Sequence, residues 1–208
     1  FDRRGDVIFW DSFESGLASW ASVLVGAGAA ADLSLATRRT GWFSARLHTA
    51  AVADDQVRLQ RSVPIIALSR FGLEASFFLD ANTQIFVCSF YVYDGVDVLT
   101  GQVRYNLPLK RLSYLNSVGA LVTLGDGVRA NVGADRWNTV KVVADGTLEQ
   151  YVRVLFNDRQ YNLAGVACQK AADSSAPHLG FEVIARTDVA TAVDCYVDDV
   201  IATENEPA

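Results

Sequence analysis

Methionine is absent, histidine occurs twice and cysteine three times in this chain of 208 residues. Each scarcity removes a class of chemistry. Cys88, Cys168 and Cys195 form no C-x-x-C pair and lack metal-site spacing. Cys88 and Cys195 fall inside apolar stretches, where a reduced cysteine behaves as a small hydrophobe, so buried thiols are expected. A Cys88–Cys195 bridge would require their strands to be neighbours. His48 lies in a strand-like stretch and His178 follows Pro177, far away. No nucleophile motif accompanies them, which argues against a Ser-His-Asp device. Charged residues make up only 20% and the net charge is −6. A nucleic-acid partner would need a basic patch to replace phosphate counterions, and an anionic membrane surface would also select for basic residues. No apolar run approaches the ~20 residues that span a bilayer; Ala27 to Ala31 is apolar but short. No signal peptide is visible. With Phe1 first and no Met, the chain is expected to be a mature secreted protein, a domain cut from a larger one, or a processed virion protein.

Helical periodicity is also missing, apart from single turns expected in Pro64 to Arg70 and Val166 to Ala172. There is no internal repeat and no low-complexity linker. Gly26 to Gly28 and Gly125 to Gly127 are Gly-x-Gly stretches without a following helix, so they form no phosphate cradle. Arg4-Gly5-Asp6 spells an integrin-binding tripeptide, but three common residues near a terminus match by chance often.

What remains is strand after strand, punctuated by Gly, Asp and Asn. Strands are predicted near 6–10, 18–25, 42–49, 56–63, 71–79, 84–93, 97–107, 118–124, 127–131, 137–144, 149–156, 160–163, 180–187 and 194–203. Alternation assigns their faces. Phe71, Leu73, Ala75, Phe77 and Leu79 form one side of a strand, and Glu74, Ser76 and Phe78 the other. Phe86, Cys88, Phe90 and Val92 oppose Val87, Ser89, Tyr91 and Tyr93. Val103, Tyr105 and Leu107 oppose Gln102, Arg104 and Asn106, and Phe43, Ala45 and Leu47 oppose Trp42, Ser44, Arg46 and His48. Each strand has an apolar side and a mixed polar-aromatic side. Two antiparallel sheets with apolar sides together make a sandwich. The chain reads as a single domain over 1–203, with the polar, Pro207-containing tail 204–208 leaving it.

The stretch Arg136 to Gly165 is the clearest meander. Trp137 opens a strand carrying Val140, Val142 and Ala144. Asp145-Gly146 makes a turn, and a strand from Glu149 to Phe156 ends at Asn157-Asp158. Trp137, Val140, Val142, Asp145, Gly146, Tyr151, Val152, Val154 and Asn157 resemble the W-x-x-V-x-V-x-x-D-G and Y-V-x-V-x-x-N/D strands of concanavalin A-like and laminin-G-like sandwiches. Asp11 to Gly16 with Trp20, Thr40 to Leu47, and Tyr196 to Val200 resemble the opening, inner and closing strands of jelly-roll carbohydrate-binding modules. The resemblance implies an all-β, two-sheet antiparallel jelly-roll sandwich. It also implies a structural calcium held by Glu14, the Gly41 carbonyl, and Asp198 or Asp199. Asp198 and Asp199 should lie on opposite strand faces, so one is inward. The alternative is that such a carboxylate accepts backbone N–H groups or meets an arginine.

The outward set Tyr91, Tyr93, Gln102, Arg104 and Asn106 is the candidate ligand site, with Trp42 and Phe78 as apolar extensions. A sugar ring offers an apolar C–H face fringed by hydroxyls, which suits an aromatic platform with planar polar groups around it. An ordinary solvated face, with Tyr favoured by β-propensity, is the plainer account. No closely spaced carboxylate run of the E-x-D-x-E type exists, and Glu74 and Glu182 stand alone on their strands. Three functions follow in order. The first is a non-catalytic module binding a glycan or a partner protein surface, outside the cell or on a particle. The second is a virion or phage structural protein, such as a capsid decoration or tail-associated subunit, with homo-oligomers expected. The third is a divergent glycoside hydrolase or lyase.

Overall fold

The computed structural model describes residues 4–65, 67–80, 85–132 and 136–208. Sixteen strands form among them, and no helix. In chain order they are β1 (Asp6–Asp11), β2 (Ala21–Val25), β3 (Ala30–Ser34), β4 (Ser44–Thr49), β5 (Gln56–Pro64), β6 (Arg70–Leu79), β7 (Ile85–Tyr93) and β8 (Asp97–Asn106). They continue as β9 (Arg111–Leu115), β10 (Leu121–Gly125), β11 (Asn138–Asp145), β12 (Gln150–Phe156), β13 (Arg159–Asn162), β14 (Gln169–Ala172), β15 (His178–Arg186) and β16 (Val193–Glu204). The first sheet runs β13-β12-β11-β6-β16-β4-β3, with β1 also on β16; the second runs β10-β9-β8-β7-β15-β5-β2, with β14 also on β8. All these ladders are antiparallel.

The apolar faces meet in one core. Phe71, Leu73, Ala75, Phe77 and Leu79 come from the first sheet; Phe86, Cys88, Phe90 and Val92 come from the second. Phe77 and Phe86 stack across the interface with centroids 4.0 Å apart. Fully burying such side chains contributes ~1.5–3 kcal/mol each. Trp20 packs against Phe9, Phe13 and Phe181, and its Nε1 donates to Asp11 Oδ2 at 2.9 Å.

Several expectations need correction. The stretch 127–131 is not a strand; it passes under Tyr105, whose hydroxyl donates to the Val128 carbonyl (2.9 Å) and accepts from Ala130 N (3.0 Å). Val166 to Ala172 holds β14 rather than a helical turn, and the described part of 64–70 is not helical. The tail does not leave the domain. Glu204 ends β16, and Glu206 is buried against Lys141 Nζ (2.6 Å) and Arg153 Nη2 (2.5 Å). Glu206 also accepts from Thr203 Oγ1, and Arg153 Nη1 donates to the Pro207 carbonyl. Lys141 and Arg153 project from the outer face of the first sheet, where burial is affordable because this carboxylate meets them.

Cys88 lies on β7 and Cys195 on β16, in different sheets, so their strands are not neighbours. All three cysteines are free and buried, and burial pushes each thiol well above its ordinary pKa. They are inert packing residues.

Candidate functional site

The outer face of the second sheet is built in five rows across β5, β15, β7 and β8. The first row is Gln56, Arg186, Ile85 and Asn106. The second is Arg58, Ile184, Val87 and Arg104, and the third is Gln60, Glu182, Ser89 and Gln102. The fourth is Ser62, Gly180, Tyr91 and Thr100, and the last is Pro64, His178, Tyr93 and Val98. Ladder partners share a face, so these side chains are neighbours. Ile85, Val87 and Ile184 form a small buried apolar cluster of their own on this outer side. Val87 and Ile184 of this cluster floor a cleft of about 230 Å³ lined by Gln56, Arg58, Tyr91, Gln102, Arg104, Glu182 and Arg186.

Local chemistry sets this register. The β7–β8 hairpin closes through Asp94, whose Oδ1 accepts from Val96 N (2.8 Å) and Asp97 N (2.7 Å), while Gly95 takes a φ of 98°. Those two N–H groups hold the Asp94 carboxyl below its ordinary pKa. β8 changes partner midway, from β14 at Asp97–Thr100 to β9 at Val103–Asn106. In that gap the Gln102 N–H would lack an acceptor. Tyr151 crosses from the first sheet to supply one at 3.0 Å, and donates to the Leu115 carbonyl at 2.7 Å. The backbone under Gln102 is thereby pinned to the opposite sheet.

Glu182 is the centre of the cleft and is only 2% exposed. Tyr91 OH donates to its Oε1, and Gln60 Nε2 donates to its Oε2 at 2.9 Å. Arg58 Nη1 stands farther off, at 3.9 Å. Burial, and then the Glu182 charge, push the Tyr91 hydroxyl well above its ordinary pKa, so it stays a neutral donor. Arg104 and Arg186 both meet Asp188, at 3.5 and 3.2 Å. At the far end Tyr93 stacks on His178, with centroids 4.1 Å apart and planes 10° from parallel. Gly180 keeps the surface between the two tyrosines open; a Cβ there would stand 3.6 Å from both Tyr91 and Tyr93.

Of the expected ligand-site residues, Tyr91, Gln102 and Arg104 line the cleft together. Tyr93 lies beyond it on the same face. Asn106 shares the face but caps a turn, its Oδ1 accepting from Leu109 N at 3.0 Å. Trp42 is not part of this surface. It is 70% exposed in the turn before β4, in the first sheet. Phe78 is on that sheet too, packed against Trp137 and Tyr196. Arg58, Gln60, Glu182, Arg186, His178 and Gly180 did not emerge from the sequence as site residues. Alternation in 56–63 and 180–187 puts most of them on one side, but nothing local says that β15 lies between β7 and β5.

The carboxylates of the expected calcium site serve as turn caps. Asp198 Oδ2 accepts from Arg39 N (2.9 Å) and Thr40 N (3.1 Å), and Oδ1 accepts from Asp199 N (2.8 Å). Glu14 Oε1 accepts from Trp42 N (2.8 Å) and Phe43 N (3.0 Å) around Gly41, whose φ is 61°. Asp199 accepts from Thr40 Oγ1 (3.2 Å) and Trp10 Nε1 (3.4 Å). Both aspartates are buried, but Asp198 shares the outer face of its sheet with its ladder partner Ser76, and β16 bulges between Asp198 and Ile201 with Asp199 at φ 50°, so the simple in-out alternation expected of the pair does not hold. N–H groups aimed at these oxygens occupy the directions a hard cation needs. Among the described residues no group of three or more His, Cys, Asp or Glu is placed to hold a metal ion. Glu14, Asp198 and Asp199 act here as caps of the turn that holds Thr40 and Gly41.

His48 is likewise tied up. Its Nδ1 meets Asp194 Oδ1 at 2.7 Å, while Arg46 grips the same carboxylate at 3.0 and 3.1 Å.

No protein-family model and no curated protein matches the chain. Solved structures do. The carbohydrate esterase vb_24B_21 from the Shiga toxin-encoding bacteriophage phi24B is similar over 97% of this chain and 100% of its own, with a TM-score of 0.63 at 14% identity. An endo-β-1,4-glucuronan lyase from the fungus Trichoderma reesei is similar over 96% of each chain, with a TM-score of 0.66 at 11% identity. A carbohydrate-binding module of the β-sandwich superfamily covers 97% of this chain and 64% of its own, at 0.53 and 11%. The fold is a concanavalin A-like jelly-roll sandwich. It is similar to carbohydrate-binding modules, and at these identities the likeness concerns the fold alone. Two-sheet jelly rolls place open faces on either side of one core, and the row-built cleft above occupies one of them.

Proposed function

We propose that this protein is a non-catalytic, glycan-binding module, presented outside the cell or on a larger assembly. The observation that carries it is the composition of one open sheet face. Tyr91, Gln102, Arg104, Arg58 and Glu182 gather in a cleft, and the stacked Tyr93–His178 pair continues it past Gly180. Planar polar groups meet sugar hydroxyls, and an aromatic face meets the apolar side of the ring. The surface from Val87 to Tyr93 runs about 20 Å along β7 at ~3.3 Å per residue, which suits an oligosaccharide better than a single sugar. Similar structures named as a carbohydrate-binding module, a carbohydrate esterase and a glucuronan lyase support a carbohydrate ligand. The non-catalytic reading rests on Glu182, among the described residues the single carboxylate lining the cleft, whose two oxygens are held by Tyr91 and Gln60. A two-carboxylate glycosidase needs a facing partner.

Calorimetry against an oligosaccharide panel tests this. Tyr93→Ala and Gln102→Ala should each weaken binding of any glycan the parent binds about tenfold, equivalent to ~1.4 kcal/mol. Folded variants that bind as the parent does would move the site elsewhere.

The second reading, a particle subunit of a virion or phage, is favoured by β2. This edge strand is exposed throughout, with Val23, Leu24 and Val25 at its surface. Unpaired apolar edges are templates for association between chains. Light scattering decides it: the module should be monomeric over a concentration series, whereas a stable trimer or ring would favour the particle subunit.

A further inference from the structure

We infer that the glycan taken by this cleft is anionic, carrying a carboxylate that the arginines of the second row and its neighbour receive. This rests on the glycan-binding reading above and adds the class of sugar. The chain as a whole carries −6. Yet the cleft is lined by Arg58, Arg104 and Arg186 against one carboxylate, Glu182.

Glu182 does not neutralise them well. Its oxygens are taken by the Tyr91 hydroxyl and the Gln60 amide, and the one guanidinium near it is 3.9 Å away. Arg58 Nε is buried and has no hydrogen-bond partner among the described residues. Arg104 and Arg186 share Asp188, whose side chain is 40% exposed, at 3.5 and 3.2 Å. The other carboxylate on Arg186, Asp54, is 75% exposed. Charges so exposed are largely screened and contribute little. Burial and the proximity of Arg186 both work against the charged form of Arg104, and Asp188 only partly offsets them. Within its lining the cleft thus holds three guanidinium groups against one carboxylate, with Asp188 and Asp54 standing at the more exposed rim, in a partly desolvated place where an anion gains more than it would in water.

A guanidinium offers two parallel N–H donors that match a planar carboxylate. A uronate has that group on the ring edge, beside the C–H face that Tyr91 and Tyr93 would meet. A neutral sugar would leave the arginines with rim carboxylates only. A sulfated sugar shares the negative charge but not the planar fork.

The test is calorimetry with oligomers of glucuronate or galacturonate, their neutral counterparts, and a sulfated oligosaccharide. We expect the uronate to bind at least tenfold more tightly than the neutral oligomer. Arg104→Gln should remove most of that margin, lowering uronate affinity by a larger factor than it lowers neutral affinity. Raising sodium chloride from 50 to 500 mM should weaken uronate binding and spare the neutral sugar, a readout on the unaltered protein that does not depend on how the variant folds. Equal affinity for neutral and acidic oligomers would overturn the anionic assignment and keep the glycan-binding reading. Preference for the sulfated sugar alone would overturn the carboxylate assignment. Binding of none of these would overturn both.

Discussion

Glu206→Ala should destabilise the protein by about 3 kcal/mol, seen as a drop of roughly 6–12 °C in melting temperature for a chain of this size. The residue lies in a segment whose sequence reads as a free tail. In the fold its carboxylate meets Lys141 at 2.6 Å and Arg153 at 2.5 Å, and both partners are almost fully buried. Removing it leaves two cations in a dry place. Breaking a buried pair in that way typically costs ~3–5 kcal/mol. The lower end is expected because Glu74 stands opposite Lys141 on the neighbouring strand and retains part of the compensation. Replacing Lys141, Arg153 and Glu206 together by apolar residues of similar size should cost far less, since no orphaned charge remains. A single variant that melts within a degree of the parent would show that the last residues contribute no stability.

The second large effect is a dependence on pH that runs opposite to ordinary acid denaturation. Burial pushes the Asp198 carboxyl up to about 6 from 3.8, against the pull of the Arg39 and Thr40 N–H groups. Because its pKa is higher folded than unfolded, the folded protein binds the proton more readily. The associated stability is fully present below about 3.8 and is lost as pH rises through about 6. A shift of that size corresponds to at most about 3 kcal/mol. Other carboxylates add slopes of their own, so the useful quantity is the difference between the parent and Asp198→Asn. From pH 4 to pH 7 the parent should lose stability relative to the variant, and chelator should alter neither curve. Parallel curves would mean that Asp198 is ionised throughout, as its three N–H donors alone would favour. A chelator-sensitive curve would restore the calcium site.

Strand after strand was legible because alternation is a local signal. Phe71 to Leu79 and Phe86 to Val92 have the inward faces that their periodicity gives them, and the turn after Asp145 falls where expected, made by Asp145 Oδ1 accepting from Thr147 N and Leu148 N while the positive φ lies at Glu149 rather than Gly146. β3 and β9 escaped, being five residues each with polar interruptions. The bulge at Asp199 was also hidden, since an aspartate at φ 50° is a tertiary accommodation rather than a local preference. Most instructive is Glu182. It is isolated on its own strand, so its sequence neighbours say nothing about a cleft. Its partners Gln60 and Tyr91 are brought to it from 122 and 91 residues away. Such placement is written in strand order, which periodicity does not carry. Tyr91, Gln102 and Arg104 were legible because a hairpin joins their strands.

That strand order also bears on how the protein is made. β15 lies between β7 and β5, and β16 lies between β6 and β4. In each sheet an inner strand is therefore made after the strands on both of its sides. Until His178 and the residues after it emerge, β5, β7, β4 and β6 each offer an open edge, with no partner to pair it in the native way. Folding cannot finish from the N-terminus onward. Native pairing of these edges waits until β15 and β16 fill both gaps, and this long-range closure predisposes the fold to slow folding.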